Sequence, residues 1–206
     1  MNGGKELEKI VKIAVMVSGG GTNLQAILDA EKSGILRSGK VSLVLSNKAS
    51  AYALERAKNA QVETAVILRK DYATQTEYED AMIALFAEKG IDLIVMAGFM
   101  SILSPHFTDT YPKRIINVHP SLIPSFCGEG FYGLRVHRAA LDYGVKVTGA
   151  TVHFVNEIPD GGEIIAQKAV DILPGDTPEI LQRRVMEQAE WILLPQALET
   201  VSKSYC

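Results

Sequence analysis

Two stretches of this chain are apolar almost without interruption: KIAVMVS at 12–18 and IDLIVMAG at 91–98. A strand with one wet face alternates polar and apolar residues, so an unbroken run requires cover on both faces. KVSLVLSN at 40–47 alternates as a strand, and TAVIL at 64–68 is a shorter candidate. Helix-period segments lie between these runs. Leu24, Ile27 and Leu28 share a face after the first run, AYALERAKNA at 51–60 is helical in composition, and Tyr78, Met82 and Leu85 fall at i, i+4 and i+7 within 75–89. Strand and helix alternating in this way specify a doubly wound, mostly parallel, Rossmann-like α/β sheet, because right-handed crossovers lay helices on both faces.

After Leu122 the pattern changes. VKVTGATVHFV at 145–155 alternates cleanly, and EIIAQKAVDI at 163–172 follows a DGG turn. These two segments are expected to extend the sheet as an antiparallel pair. A last helix should start at Thr177 as N-cap with Pro178 in its first position, burying Leu181, Val185, Ala189 and Ile192. With no internal repeat and no Pro/Gly/Ser linker, a single domain over 1–206 is the simplest organisation.

Composition narrows the function. The net charge of −3 lacks the basic excess of a nucleic-acid surface, although backbone donors could still bind a small phosphate. Cys127 and Cys206 form neither a disulfide framework nor, with the four histidines, a zinc pattern. The first twenty residues do not read as a signal peptide, and no apolar stretch nears the ~20 residues of a membrane span. A cytoplasmic protein with reduced thiols, no nucleic-acid or membrane partner and an open oligomeric state is expected.

Three motifs carry chemistry. In SGGGTNLQAI (18–27), consecutive glycines at a strand-to-helix junction allow close approach of a ligand to the helix N-terminus, a natural phosphate site. The sequence fits neither the Walker loop nor GxGxxG, and a tight turn with Thr22 as a plain helix cap is the alternative. In RIINVHPSLIPSF (114–126), Asn117 and His119 leave the same strand face just before Pro120 and Pro124. An amide can donate to an oxyanion and an imidazole can move a proton near neutral pH, while a polar pair that merely caps the next loop is the alternative. In NEIPDGG (156–162), Asp160 is either part of a hairpin turn or a carboxylate that raises the pKa of His119.

SGGGTNLQAI, NVHPSLIPSF, GVKVTGATVHFV and DGGEII, in this order and spacing, resemble the phosphoribosylglycinamide formyltransferase family, the folate-dependent enzymes of purine synthesis. The resemblance runs from about Lys12 to Pro195. It implies that Asn117, His119 and Asp160 form the catalytic group and that a formyl group passes from 10-formyltetrahydrofolate, as co-substrate, to the amine of phosphoribosylglycinamide. An α-amine of pKa about 7.7–8.0 has an appreciable free-base fraction near neutral pH, so the difficult species is the tetrahedral oxyanion. The Asn117 amide and a protonated His119 would each contribute roughly 3–4 kcal/mol to stabilising it.

The resemblance further implies that Gly21, Thr22 and Asn23 bind the ribonucleotide phosphate and that Glu190, with Glu187 a turn earlier, binds the ribose. VMEQAEWILLP carries one extra residue in that alignment, and a solvated helix face is the alternative for both glutamates. Met100, Ser101, Ile102 and Leu103 match the pterin-side segment, and Asn156, Glu157, Ile158, Pro159 and Asp160 form a loop expected to close on the pterin. Ser101 and Gln75 stand where relatives carry arginine, which removes two cations from the folate side. His153 is either a supporting or a structural residue, and Cys127 has no nucleophilic task. Formyltetrahydrofolate deformylase and sugar N-formyltransferase share this core and stay open as alternatives, as does a non-catalytic nucleotide-binding α/β protein. A deformylase would carry an added N-terminal module, and a methionyl-tRNA formyltransferase a basic C-terminal domain.

Overall fold

The computed structural model describes residues 9–205. Cys206 and the first eight of the twenty residues read for a signal peptide lie outside it. Seven strands form one sheet in the order β3-β2-β1-β4-β5-β6-β7. β1 (Val11–Val17), β2 (Gly39–Ser46), β3 (Glu63–Val66), β4 (Leu93–Met96) and β5 (Ile115–His119) run parallel, while β6 (Val147–Phe154) is antiparallel to β5 and β7 (Ile164–Asp171) to β6. The expected antiparallel extension is therefore present and includes the catalytic-strand candidate, β5, as its parallel edge.

The apolar run of β1 divides between two cores. Ile13, Val15 and Val17 face the larger one, with α1 (Thr22–Ser33), α2 (Tyr52–Asn59), α6 (Pro178–Val185) and α7 (Trp191–Lys203). Ala14 and Met16 face the other, with α3 (Gln75–Lys89) and α4 (Pro105–Thr110). Alternation between two covered faces is why the strand carries no polar residue at every second position. α3 opens with the capping box that Thr74 and Glu77 form, and Tyr78, Met82 and Phe86 are its buried apolar residues, with Leu85 only half-buried.

Two helices were not legible in the sequence. α4 is a six-residue helix, and α5 (Leu134–Tyr143) begins in the glycine-rich stretch after Phe131. One expectation is corrected: Ile192 is exposed, and Leu193 and Leu194 are buried in its place. Between α6 and α7, Met186–Glu190 forms a π-helical turn. One added residue rotates everything downstream by about 100°, so the stripe of Leu181, Val185 and Ala189 continues one position late. This turn falls within VMEQAEWILLP.

Gly149 on β6 is required by packing. A Cβ there would lie 2.1 Å from the Lys168 carbonyl oxygen and 2.8 Å from Leu122 Cδ2, so the segment after His119 and strand β7 both depend on its absence. Gly149→Ala should cost about 1–3 kcal/mol of stability, read as a lowered urea midpoint. An unchanged midpoint would show that β6 and β7 separate without cost.

Candidate active site

The parallel strands end together where the strand order reverses between β1 and β4, the usual ligand position in open α/β sheets. Asn117 and His119 lie at the end of β5 and leave it on the same side, with Val118 packed into the larger core. The antiparallel register sets Asn117 directly opposite His153 and His119 opposite Thr151. Asn117 Nδ2 is 3.2 Å from His153 Nε2, and His153 Nδ1 is 2.8 Å from the carbonyl of Phe154. A carbonyl only accepts, so Nδ1 donates to it, while Nε2 faces both the Asn117 amide and the Asp160 carboxylate. The second N–H of the Asn117 amide is left for the cleft.

His119 is nearly sealed from solvent. Its Nε2 donates to the carbonyl of Phe126 at 2.9 Å, and its Nδ1 faces Asp160 Oδ2 at 3.4 Å. The other Asp160 oxygen lies 3.6 Å from His153 Nε2, and Gly128 N–H donates to Oδ2 at 2.9 Å. One carboxylate thus stands between two imidazoles. The loop reaches this position through a left-handed Asp160, φ 55°, a conformation that Asp tolerates better than most residues. A Cβ on Gly162 would lie 1.8 Å from the Phe154 carbonyl oxygen, so the DGG sequence serves close packing as well as turning.

Burial pulls the His119 pKa below the ordinary imidazole value, and the Asp160 carboxylate opposes this without cancelling it. The expected net rise is therefore corrected: in this site desolvation outweighs the charge, and the imidazole rests neutral at pH 7. Burial also disfavours the Asp160 carboxylate, but His153, His119 and the Gly128 N–H together hold its pKa below the usual value. Cys127 donates to the Pro124 carbonyl at 3.3 Å, and burial with the Asp160 charge pushes its thiol up, away from a nucleophilic role.

These groups floor a cleft of about 640 Å³. Its walls are Gly98–Leu103, Gly128–Gly133 and Val155–Asp160, which bring in Met100, Ser101, Ile102, Leu103, Asn156, Glu157, Ile158 and Pro159 as expected. Met100, Ile102 and Ile158 are more than half exposed along it, apolar surface of the kind that a flat aromatic ligand covers. Ser101 accepts from Asn47 Nδ2 at 2.9 Å. Gln75 lies behind the wall, reaching the Ile102 carbonyl at 3.4 Å, and Arg69 Nε donates to Gln75 Oε1 at 3.1 Å. A cation therefore accompanies the glutamine that stands where arginine was expected. A second groove of about 480 Å³, between α1 and α7, touches none of Asn117, His119 and Asp160.

The glycine turn adjoins the cleft, since Ser18 Oγ accepts from Met100 N at 2.9 Å. Gly21 is left-handed at φ 72°, and a Cβ there would lie 2.5 Å from Ala53 Cβ. Thr22 is the first helical residue and does not cap: α1 has Gly21 at its N-cap and no side-chain cap bond. Asn23 Nδ2 donates to Glu190 Oε2 at 2.8 Å, which joins the turn to the π-helical segment. Glu190 is buried, and burial raises its pKa against the Asn23 hydrogen bond. Glu187 is not brought in. It is exposed, with only a 3.9 Å contact to Arg183.

The formyl transferase family profile matches residues 11–198. The phosphoribosylglycinamide formyltransferase of Haemophilus influenzae is 45% identical over 188 residues, covering 91% of this chain and 85% of that protein. The chain belongs to the phosphoribosylglycinamide formyltransferase family. It also matches the trifunctional purine biosynthetic protein adenosine-3 of Gallus gallus at 43% identity, covering 97% of this chain but spanning only 19% of that longer protein. Among solved structures, glycinamide ribonucleotide transformylase 1 from Symbiobacterium toebii superposes with a TM-score of 0.88 at 40% identity, covering 95% of this chain and 89% of that one.

Sequence reasoning left the place of His153 open; the register of β6 on β5 decides it, because it faces Asn117 and Asp160 together. It did not anticipate Ser18, Gly128 or the Phe126 carbonyl, whose parts are set by loop paths that no residue type signals. Of the remaining histidines, His106 meets Asp80 on the surface at 2.7 Å, and His137 is buried with its pKa pulled down to about 4 by desolvation and His119. An NMR titration should place His119 below the ordinary imidazole value of about 6.5, and Asp160→Asn should lower it further by removing the opposing charge. A higher value in the variant would overturn the assignment of the opposing charge to Asp160.

Proposed function

We propose that this chain transfers the formyl group of 10-formyltetrahydrofolate to the amine of phosphoribosylglycinamide in purine biosynthesis, with Asn117, His119 and Asp160 as its catalytic residues. The observation that carries the reading is the convergence of the three on the floor of a cleft whose apolar walls suit a pterin and whose far edge meets the glycine turn. One continuous sheet supports both ends, in keeping with a single formyltransferase domain. Among the described residues no helix is long and apolar enough to cross a membrane; a cytoplasmic location is part of the proposed reading and does not follow from that absence.

The residues divide the work. Asn117 donates its free amide N–H to the oxyanion as the amine attacks the formyl carbon; its geometry is preset by His153, so no reorganisation is needed in the transition state. His119 starts neutral, takes the proton that the attacking amine must lose, and as imidazolium adds positive charge beside the oxyanion. Asp160 favours that imidazolium, and His119 then returns the proton to the departing folate nitrogen. Gly21, Thr22 and Asn23 present the α1 N-terminus to the ribonucleotide phosphate, and Glu190, set by Asn23, faces the ribose. Arg69, tied to Gln75, supplies on the folate side a positive charge that neither Gln75 nor Ser101 carries.

Mixing the protein with 10-formyl folate and the ribonucleotide, and following loss of the formyl group, tests the reading. Formyl loss should require the ribonucleotide; equal loss without it would identify a deformylase. His119→Ala and Asp160→Asn should each lower kcat by about 10²–10⁴-fold with the fold intact, and near-wild-type turnover in either would remove that residue from the mechanism. Thr22→Ala combined with Asn23→Ala should raise KM for the ribonucleotide and leave KM for folate unchanged. A selective rise in the folate KM would place the phosphate elsewhere.

A further inference from the structure

Glu79 on α3 has no solvent exposure, and among the described residues no cation pairs with it. Burying a carboxylate without a counter-ion is costly unless hydrogen bonds replace its hydration. Glu79 has three, all from neutral donors: Gln75 Nε2 at 2.7 Å and Ser104 N at 2.8 Å on Oε1, and Ser104 Oγ on Oε2. Both partners adjoin the cleft wall from behind. Ser104 is the residue at which Gly98–Leu103 ends and α4 begins, and Gln75 passes the same anchorage to the Ile102 carbonyl. The other end of the segment hangs on Ser18 through Met100 N. Between these two anchors stand the exposed side chains of Met100 and Ile102.

We propose that Glu79 is a positioning residue for the folate co-substrate: by fixing Ser104 and Gln75 it sets the height and tilt of the Gly98–Leu103 wall against which the pterin rests. This rests on the function proposed above. What the wall needs is the pattern of acceptors, not the charge. A glutamine can reproduce that pattern, with its oxygen accepting from Gln75 and from Ser104 N–H and its amide donating to Ser104 Oγ, which turns from donor to acceptor.

The test compares Glu79→Leu and Glu79→Gln with wild type, measuring KM for each substrate, Kd for a non-reactive folate analogue by calorimetry, and the thermal midpoint. Glu79→Leu should weaken the folate KM and the analogue Kd by about tenfold or more while the ribonucleotide KM stays within about twofold, and Glu79→Gln should stay within about threefold of wild type throughout. Equal effects on both substrates, or none, would show a merely structural residue. A glutamine variant as weak as the leucine one would overturn the hydrogen-bond argument. If Glu79→Leu does not fold, Ser104→Ala, which removes only one donor, should still weaken the analogue by about threefold, and an unchanged Kd would overturn the proposal. Wild type that binds no folate analogue would sink the functional reading and this inference together, whereas wild-type binding with an unaffected leucine variant would sink this inference alone.

Discussion

A carboxylate placed in a nearly dry cleft between two imidazoles governs the rest of this site. Asp160 lies 3.4 Å from His119 and 3.6 Å from His153, and its one backbone donor is Gly128. Moving the carboxylate would release both rings, the Gly128–Gly133 wall and the Val155–Asp160 wall. The backbone reflects this demand. Asp160 and Phe126 both adopt positive φ, and Gly162 allows the chain to pass against Phe154. Uncommon conformations of this kind persist where the surrounding structure over-determines them.

The balance of burial against charge also sets the direction of the chemistry. Were Asp160 exposed, it would be screened and do little to His119; were His119 solvated, it would share its proton freely near neutral pH. In the folded site His119 is pulled towards the neutral form while a fixed negative charge waits beside Nδ1. Such an imidazole can accept a proton and then hold it briefly, which suits a transfer from amine to leaving nitrogen better than a permanently charged donor would. The amide of Asn117 complements it because its direction is already fixed by the cross-strand bond to His153.

The glycine turn is tied to both the cleft wall and the C-terminal helices through side chains at its two ends. Ser18 ends β1 and holds Met100 on the folate wall, while Asn23 ties the glycine turn to Glu190 in the π-helical turn. The π turn has two effects at once. It keeps Glu190 facing Asn23, and it shifts the downstream stripe so that Leu193, Leu194, Ala197 and Leu198 continue the core. An uninterrupted α-helix could satisfy the core or the site at this point, but with these residues not both.

What the sequence determined by itself is the sheet and the candidate polar groups of the cleft. Unbroken apolar runs in β1 and β4 require two covered faces, alternation in β6 and β7 requires an antiparallel pair, and the two-residue spacing of Asn117 and His119 requires a common face. These are local periodicities, legible because one residue step fixes the direction of the next side chain. Tertiary structure alone decided how the groups act on one another. The register that sets His153 against Asn117, the burial that reverses the expected His119 shift, the π turn that exposes Ile192 and the exclusion of Glu187 all depend on distances between segments remote in sequence. A chain read residue by residue carries no measure of desolvation, because desolvation is produced by the neighbours that folding brings.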